Sequence, residues 1–73
     1  MLAPDQLAGR QPFDRAFIDS NIPHHASAIE MASVALMQSE DPEIKRLTRQ
    51  IVDTQSQEVG KMIGWRQEWY PED

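Results

Sequence analysis

Two adjacent histidines, His24 and His25, are the residues of this chain whose type and spacing best suggest chemistry. They follow Pro23 in a stretch with the periodicity of an amphipathic helix, and Met31 lies about two turns further on. Neighbouring helical residues point about 100° apart, so each histidine falls on its own row. The first row is Phe17, Asn21, His24, Ala28, Met31 and Ala35, and the second is Ile18, Ile22, His25, Ile29, Ala32 and Leu36. Both rows have heptad spacing, which predicts a wide buried face with both histidines pointing inward.

Inward histidines have two interpretations that the residues alone leave open. A histidine on an apolar face is commonly a core residue whose ring nitrogens form hydrogen bonds with neighbours. Imidazole and thioether groups are also the natural ligands of soft and borderline metal ions. The pair His24–His25 with Met31 therefore predicts either a hydrogen-bonded core or a metal site.

The first helix is expected to begin near Pro12 or Phe13 and to end near Ser39. Proline is favoured at the first helical position, where its missing N–H would be unpaired in any case. Pro23 lies in the interior, where it cannot donate to the carbonyl of Asp19, so a kink is expected.

A second helix is expected from Pro42 to about Trp69 or Tyr70, with Asp41 as its N-cap. So short a connection places the two helices antiparallel. The sequence thus predicts a loop or arm over residues 1–11, a helical hairpin over 12–70 and a tail over 71–73. The helices occupy about 12–39 and about 42–70 of that hairpin.

The inward row of the second helix is apolar at both ends and polar in the middle. In a hairpin that turns near residues 40 and 41, residue i of the first helix lies level with about residue 81 − i of the second. The histidines then fall between Gln55 and Glu58, and Asn21 falls about one turn from Met62. Gln55 and Glu58 can accept ring N–H groups in a core, or can orient metal-bound histidines through the other ring nitrogen.

Composition narrows the classes of function. The 73 residues carry a formal net charge of -5, with scattered lysines and arginines, which argues against nucleic-acid binding. No apolar run approaches the roughly 20 residues needed to span a bilayer, and the first residues do not read as a signal peptide. There are no cysteines, so a core this small needs a metal, a partner subunit or further chain for support.

Enzyme motifs for metal or hydrolytic chemistry are missing from the sequence. The Glu-x-x-His pattern of di-iron bundles is absent around His24 and His25, and so is the His-Glu-x-x-His pattern of zinc proteases. No glycine-rich phosphate loop is present either. The chain is therefore not expected to be an enzyme.

The sequence resembles the CopM-like family, a domain of unknown function. The likeness covers about residues 13–70. It rests on the run from Phe17 to Ala32, on the turn from Asp41 to Ile44, and on spaced residues of the second helix. Those spaced residues are Ile51, Gln55, Glu58, Met62, Trp65, Trp69 and Tyr70.

This resemblance implies a ferritin-like helical bundle from exported, periplasmic or extracellular, bacterial proteins. Some members bind copper or silver through methionine and histidine. Carried over to this chain, the implied metal ligands are His24, His25, Met31 and Met62. The supporting residues behind them are Asn21, Gln55 and Glu58. Most relatives have a methionine where this chain has Asn21, a departure that removes one soft ligand.

Full members of the family hold two such hairpins in one chain. The sequence accordingly predicts an all-α antiparallel hairpin that forms a four-helix bundle, either as a homodimer or with a missing second half. The predicted function is Cu(I) or Ag(I) sequestration or storage. The alternative is a structural or oligomerisation domain without metal, in which the histidines are hydrogen-bonded in the core.

Overall fold

Three helices make up the structure, a computed structural model that describes residues 1–72. They are α1 (Pro4–Leu7), α2 (Phe13–Gln38) and α3 (Pro42–Trp69). The long helices α2 and α3 pack against each other as an antiparallel hairpin, and residues 1–72 contain no strand. The predicted all-α hairpin is confirmed. Asp73, the last residue of the expected tail, lies outside the described residues.

The hairpin turn is held by side-chain caps. The Asp41 carboxylate accepts hydrogen bonds from the backbone N–H groups of Glu43, at 2.8 Å, and Ile44, at 3.3 Å. The N–H of Asp41 itself donates to Oγ of Ser39 at 3.1 Å. Asp41 is therefore the N-cap of α3, as predicted, and it satisfies donors that the first turn of a helix leaves unpaired.

The register of the hairpin differs slightly from the sequence prediction. Two side-chain pairs about one turn apart join the middle of the helices, His25 with Glu58 and Asn21 with Met62. Both pairs place residue i of α2 level with residue 83 − i of α3 rather than 81 − i. Helical side chains lean toward the N-terminus of their own helix. Those of α2 therefore reach away from the turn and those of α3 toward it, which adds about two residues to the offset.

The second predicted row of α2 is more fully buried against α3 than the first. Ile18 and Ala32 of the second row are buried, and so are Thr48 and Met62 of α3. The first row stays largely open, with Met31 75% exposed. Two helices alone bury a narrow stripe, so a wide apolar face remains uncovered.

The N-terminal arm lies on α2 instead of extending freely. The backbone N–H of Leu2 donates to Oγ of Ser20 at 2.7 Å, and Ser20 is buried beneath the arm. Within the arm, α1 is one helical turn whose entry is fixed by the Gln6 side chain, which accepts from the N–H of Ala3 at 3.0 Å. A cleft of about 570 Å³ separates this arm from α2.

A polar clasp closes the open end of the hairpin. Nε of Arg66 donates to Oδ1 of Asp19 at 2.7 Å, and a second guanidinium nitrogen donates to the carbonyl of Tyr70 at 2.5 Å. The Arg66 guanidinium also lies over the Tyr70 ring, 5.9 Å from its centroid. The clasp joins α2 to α3 where the helices would otherwise fray.

Helical structure continues through Pro23, inside α2.

Candidate metal site

His25 is the centre of a polar cluster between the two long helices. Its Nε2 lies 2.7 Å from Oε1 of Glu58, and its Nδ1 lies 3.2 Å from the backbone carbonyl oxygen of Asn21. The His25 side chain is 12% exposed and that of Glu58 is 48% exposed. Both ring nitrogens thus face hydrogen-bond acceptors. An imidazolium can donate to both acceptors, whereas a neutral imidazole has one N–H and can donate to only one of them.

Met62 is held beside this cluster. Nδ2 of Asn21 donates to its thioether sulfur at 3.6 Å, and Met62 is only 4% exposed. The amide thus gives the sulfur of this buried and otherwise flexible side chain a defined polar neighbour. The side chain and the backbone carbonyl of Asn21 therefore connect Met62 to His25.

A cavity of about 360 Å³ brings these groups together. Its walls combine imidazole, carboxylate, amide and thioether groups with two aromatic rings and one lysine. The lining residues are Phe17, Asn21, His25, Glu58, Lys61, Met62 and Trp65. The cavity therefore offers a nitrogen and a sulfur donor in partly apolar surroundings.

The structure does not bring all four predicted ligands into this cavity. His24 is exposed, on the side of α2 that lines the cleft under the N-terminal arm, and its ring centroid lies 6.4 Å from that of His25. The prediction that both histidines point inward is therefore wrong for His24 in the single hairpin. Met31 is likewise exposed. The reason is the same for both, because α3 packs mainly on the other row of α2 and does not cover these two side chains.

The three predicted supporting residues have different positions. Glu58 contacts His25 directly, and Asn21 contacts both His25 and Met62. Gln55 is half-buried on α3, about one turn closer to the hairpin turn than Glu58.

The donors fit a soft metal ion in kind, but a single chain supplies few of them. Imidazole and thioether suit Cu(I) and Ag(I), and hard ions such as Mg²⁺ and Ca²⁺ prefer oxygen ligands. Within residues 1–72, no three His, Cys, Asp or Glu side chains are grouped so that they could hold a metal ion. The described cluster thus contributes His25 and Met62, while His24 and Met31 remain outside it.

Sequence reasoning did not foresee the contact between Asn21 and Met62, nor the part of Lys61 and Trp65 in the cavity wall. The signal was present in the side-chain lean described above. With the register at 83 − i, Asn21 falls level with Met62 itself rather than one turn away from it.

None of the described helices is long and apolar enough to cross a membrane.

Comparison with known proteins places the chain among helical proteins. The family model described as a domain of unknown function (DUF305) matches residues 14–73. The solved structure of CopM in the Cu(I)-bound form superposes with a TM-score of 0.91 at 43% identity, over 96% of this chain and 50% of the CopM chain. CopM in the Ag-bound form, obtained by co-crystallization, gives the same TM-score and identity over 96% of this chain and 51% of its own.

A curated relative is more distant. The uncharacterized protein L153 of Acanthamoeba polyphaga mimivirus is 35% identical over 49 residues, which are 67% of this chain and 32% of the viral protein. The chain thus spans about half the length of the CopM chains and about a third of the viral protein.

Proposed function

The chain belongs to the DUF305 family, and we propose that it binds Cu(I) or Ag(I) as cargo, without catalysis. The observation that carries the proposal is the pairing of His25 with Met62 around one cavity, each fixed by a neighbour. Support comes from the close structural match to CopM, whose structures are described as Cu(I)-bound and Ag-bound.

Each residue has a distinct part in the proposed site. Met62 supplies a thioether sulfur, and His25 supplies a ring nitrogen in its neutral form, because a metal ligand must be deprotonated. The hydrogen bond from Nε2 to Glu58 orients the ring. Nδ1 is then the nitrogen that binds the ion, after it moves away from the carbonyl oxygen of Asn21. His24 and Met31 are further donors on the exposed row, and an exported location is part of the same proposal.

The test is an anaerobic Cu(I) titration of the chain against a competing chelator. Met62→Leu keeps the buried volume nearly constant and removes only the sulfur. We expect at least about a tenfold loss of Cu(I) affinity in this variant, because a soft ligand is lost. Met37→Leu is the matched control, since Met37 is 82% exposed and lies outside the cavity.

Two outcomes would contradict the proposal. In the first, the unmodified chain fails to compete for Cu(I) at all. In the second, Met62→Leu and Met37→Leu bind with the affinity of the unmodified chain. Far-UV circular dichroism on each variant checks that the helices are retained.

A structural role for His25 is the second candidate, and it is favoured by the two acceptors that face its ring. If the His25–Glu58 pair serves only to specify the packing, replacing both partners together by leucine leaves stability nearly unchanged or raises it. Cu(I) affinity is then the same before and after the double substitution, because His25 does not bind the metal. The same double variant abolishes Cu(I) competition if His25 is a ligand.

A further inference from the structure

The hairpin leaves most of one apolar face uncovered, and the N-terminal arm lies along its edge near Phe17 and His24. From α2 this open face contains Phe13, Phe17, His24 and Met31, and from α3 it contains Ile44, Leu47, Trp65 and Trp69. The seven apolar members are between 41% and 75% exposed. Phe17 and Trp65 both line the cavity of His25 and Met62, which shows that the two stripes border the same cavity.

The α2 side of the open face carries no charged side chain although the chain has a formal net charge of -5. The charged residues of α2 are Asp14, Arg15, Asp19 and Glu30, and helical spacing places them off the stripe of Phe17 and Met31. On α3 the face is bordered by Glu58, which is hydrogen-bonded to His25, and by Lys61, which lines the same cavity. An exposed apolar surface of this extent, bordered by charges of both signs rather than by a basic rim, fits a protein partner rather than an anionic membrane or a nucleic acid.

The polar residues of the site lie halfway along the open face. α2 runs from Phe13 to Gln38 and α3 from Pro42 to Trp69, so His25 and Gln55 stand at the midpoints of their helices. Apolar side chains occupy both ends. When a twofold axis relates two copies, the polar middle of one face lies against the polar middle of the other, and apolar ends lie against apolar ends. This holds for an axis parallel to the helices and for one perpendicular to them. The face is complementary to itself, as an isologous interface requires.

The size of the matched structures agrees with one further unit. This chain superposes over 96% of its length on half of the CopM chain, which leaves room in that fold for as many residues again. We propose that a second copy of this chain covers the open face and completes a four-helix bundle.

Such a dimer completes the metal site as well, a part that rests on the proposed function. His24 and Met31 lie on the open face, so in the dimer they turn from exposed side chains into interior ones. They then join the polar level of His25 and Met62 from two copies. One hairpin supplies a partial donor set, and the interface supplies the remainder.

The decisive experiment is sedimentation equilibrium of the chain with all metal removed by a chelator. We expect a mass twice the 8.4 kDa of the single chain. Met31→Glu places a charge in the centre of the open face and is expected to weaken the dimer at least about tenfold. Met37→Glu is the matched control, because Met37 is 82% exposed on the same helix but off the face, and it should keep the dimer.

A monomeric wild-type chain, or a Met31→Glu variant as dimeric as Met37→Glu, overturns the proposal. Leu47→Glu tests the same face from α3, and loss of helix in both face variants but not in Met37→Glu supports it, because folding then depends on the dimer. Cu(I) titration separates the two proposals. A metal-free dimer that never binds Cu(I) removes the proposed function alone, and Cu(I) binding by a monomer removes the dimer alone.

Discussion

At the scale of single residues, the site depends on two contacts between the helices. His25 reaches Glu58, and Asn21 reaches Met62, so the imidazole and the thioether of the cavity are each held by a hydrogen bond with the neighbouring helix. The sequence located this polar level from residue spacing and placed Glu58 there correctly. It could not separate His24 from His25, because adjacent rows look equally apolar until it is known which one the second helix covers.

Asn21 is the residue at which a substitution should strengthen binding. Asn21→Met replaces an amide that donates to Met62 with a second thioether at the same place. We expect Cu(I) affinity to rise by about tenfold or more, since thioethers select Cu(I). Competitive titration under anaerobic conditions measures the change. Asn21→Leu is the control of similar shape, and an equal gain in that variant would show that sulfur is not the cause.

Glu58 should act on the metal through His25. Glu58→Gln keeps an acceptor oxygen but removes the charge, and the side chain is 48% exposed, so stability should fall by less than about 1 kcal/mol. Cu(I) affinity should fall by about tenfold or more, the usual cost of removing the partner that orients a metal-bound histidine. Unchanged affinity in the titration would argue that Glu58 only pairs with His25 in the metal-free chain.

At the scale of the elements, the turn was predictable and the register was not fully so. Asp41 and Pro42 are a strong local signal for a helix start, and the structure has them as N-cap and first helical residue. The register needed the lean of helical side chains, which spacing along a cylinder ignores. The single turn of α1 was missed because its entry depends on the Gln6 side chain and its position on the contact of Leu2 with Ser20.

The cap at Asp41 should have a measurable share in stability. Asp41→Ala removes the acceptor for two backbone N–H groups and should lower the free energy of unfolding by about 1 kcal/mol. Asp41→Asn retains an oxygen at the cap and should lose much less. Thermal unfolding followed by far-UV circular dichroism, at one fixed protein concentration, compares the three proteins. Equal melting temperatures for alanine and asparagine would contradict a capping role.

At the scale of the whole molecule, a hairpin of this size has a thin core. Ile18, Ala32 and Met62 are its buried apolar side chains in the described part of the chain. The double row of α2 indicated from the sequence that two helices cannot cover so wide a face. What covers it lay beyond sequence reasoning, because a dimer and a longer chain present the same pattern within one hairpin.

A stability that depends on association should depend on concentration. If two copies share one core, the melting temperature of the metal-free chain rises with protein concentration by mass action. Thermal unfolding over about a hundredfold range of concentration measures this, with Met31→Glu as the variant expected to lose the dependence. A melting temperature that stays constant for the wild-type chain would mean that the hairpin folds alone.

The paired indoles at the open end of the hairpin provide an intrinsic fluorescence signal. Trp65 and Trp69 are the two tryptophans of the chain, stacked with centroids 5.4 Å apart and planes 3° from parallel. Both are about half exposed on the open face. Covering that face removes water from both rings, which shifts their fluorescence emission to shorter wavelengths. Assembly can therefore be followed in real time by intrinsic fluorescence, with no label added to a chain that contains no cysteine.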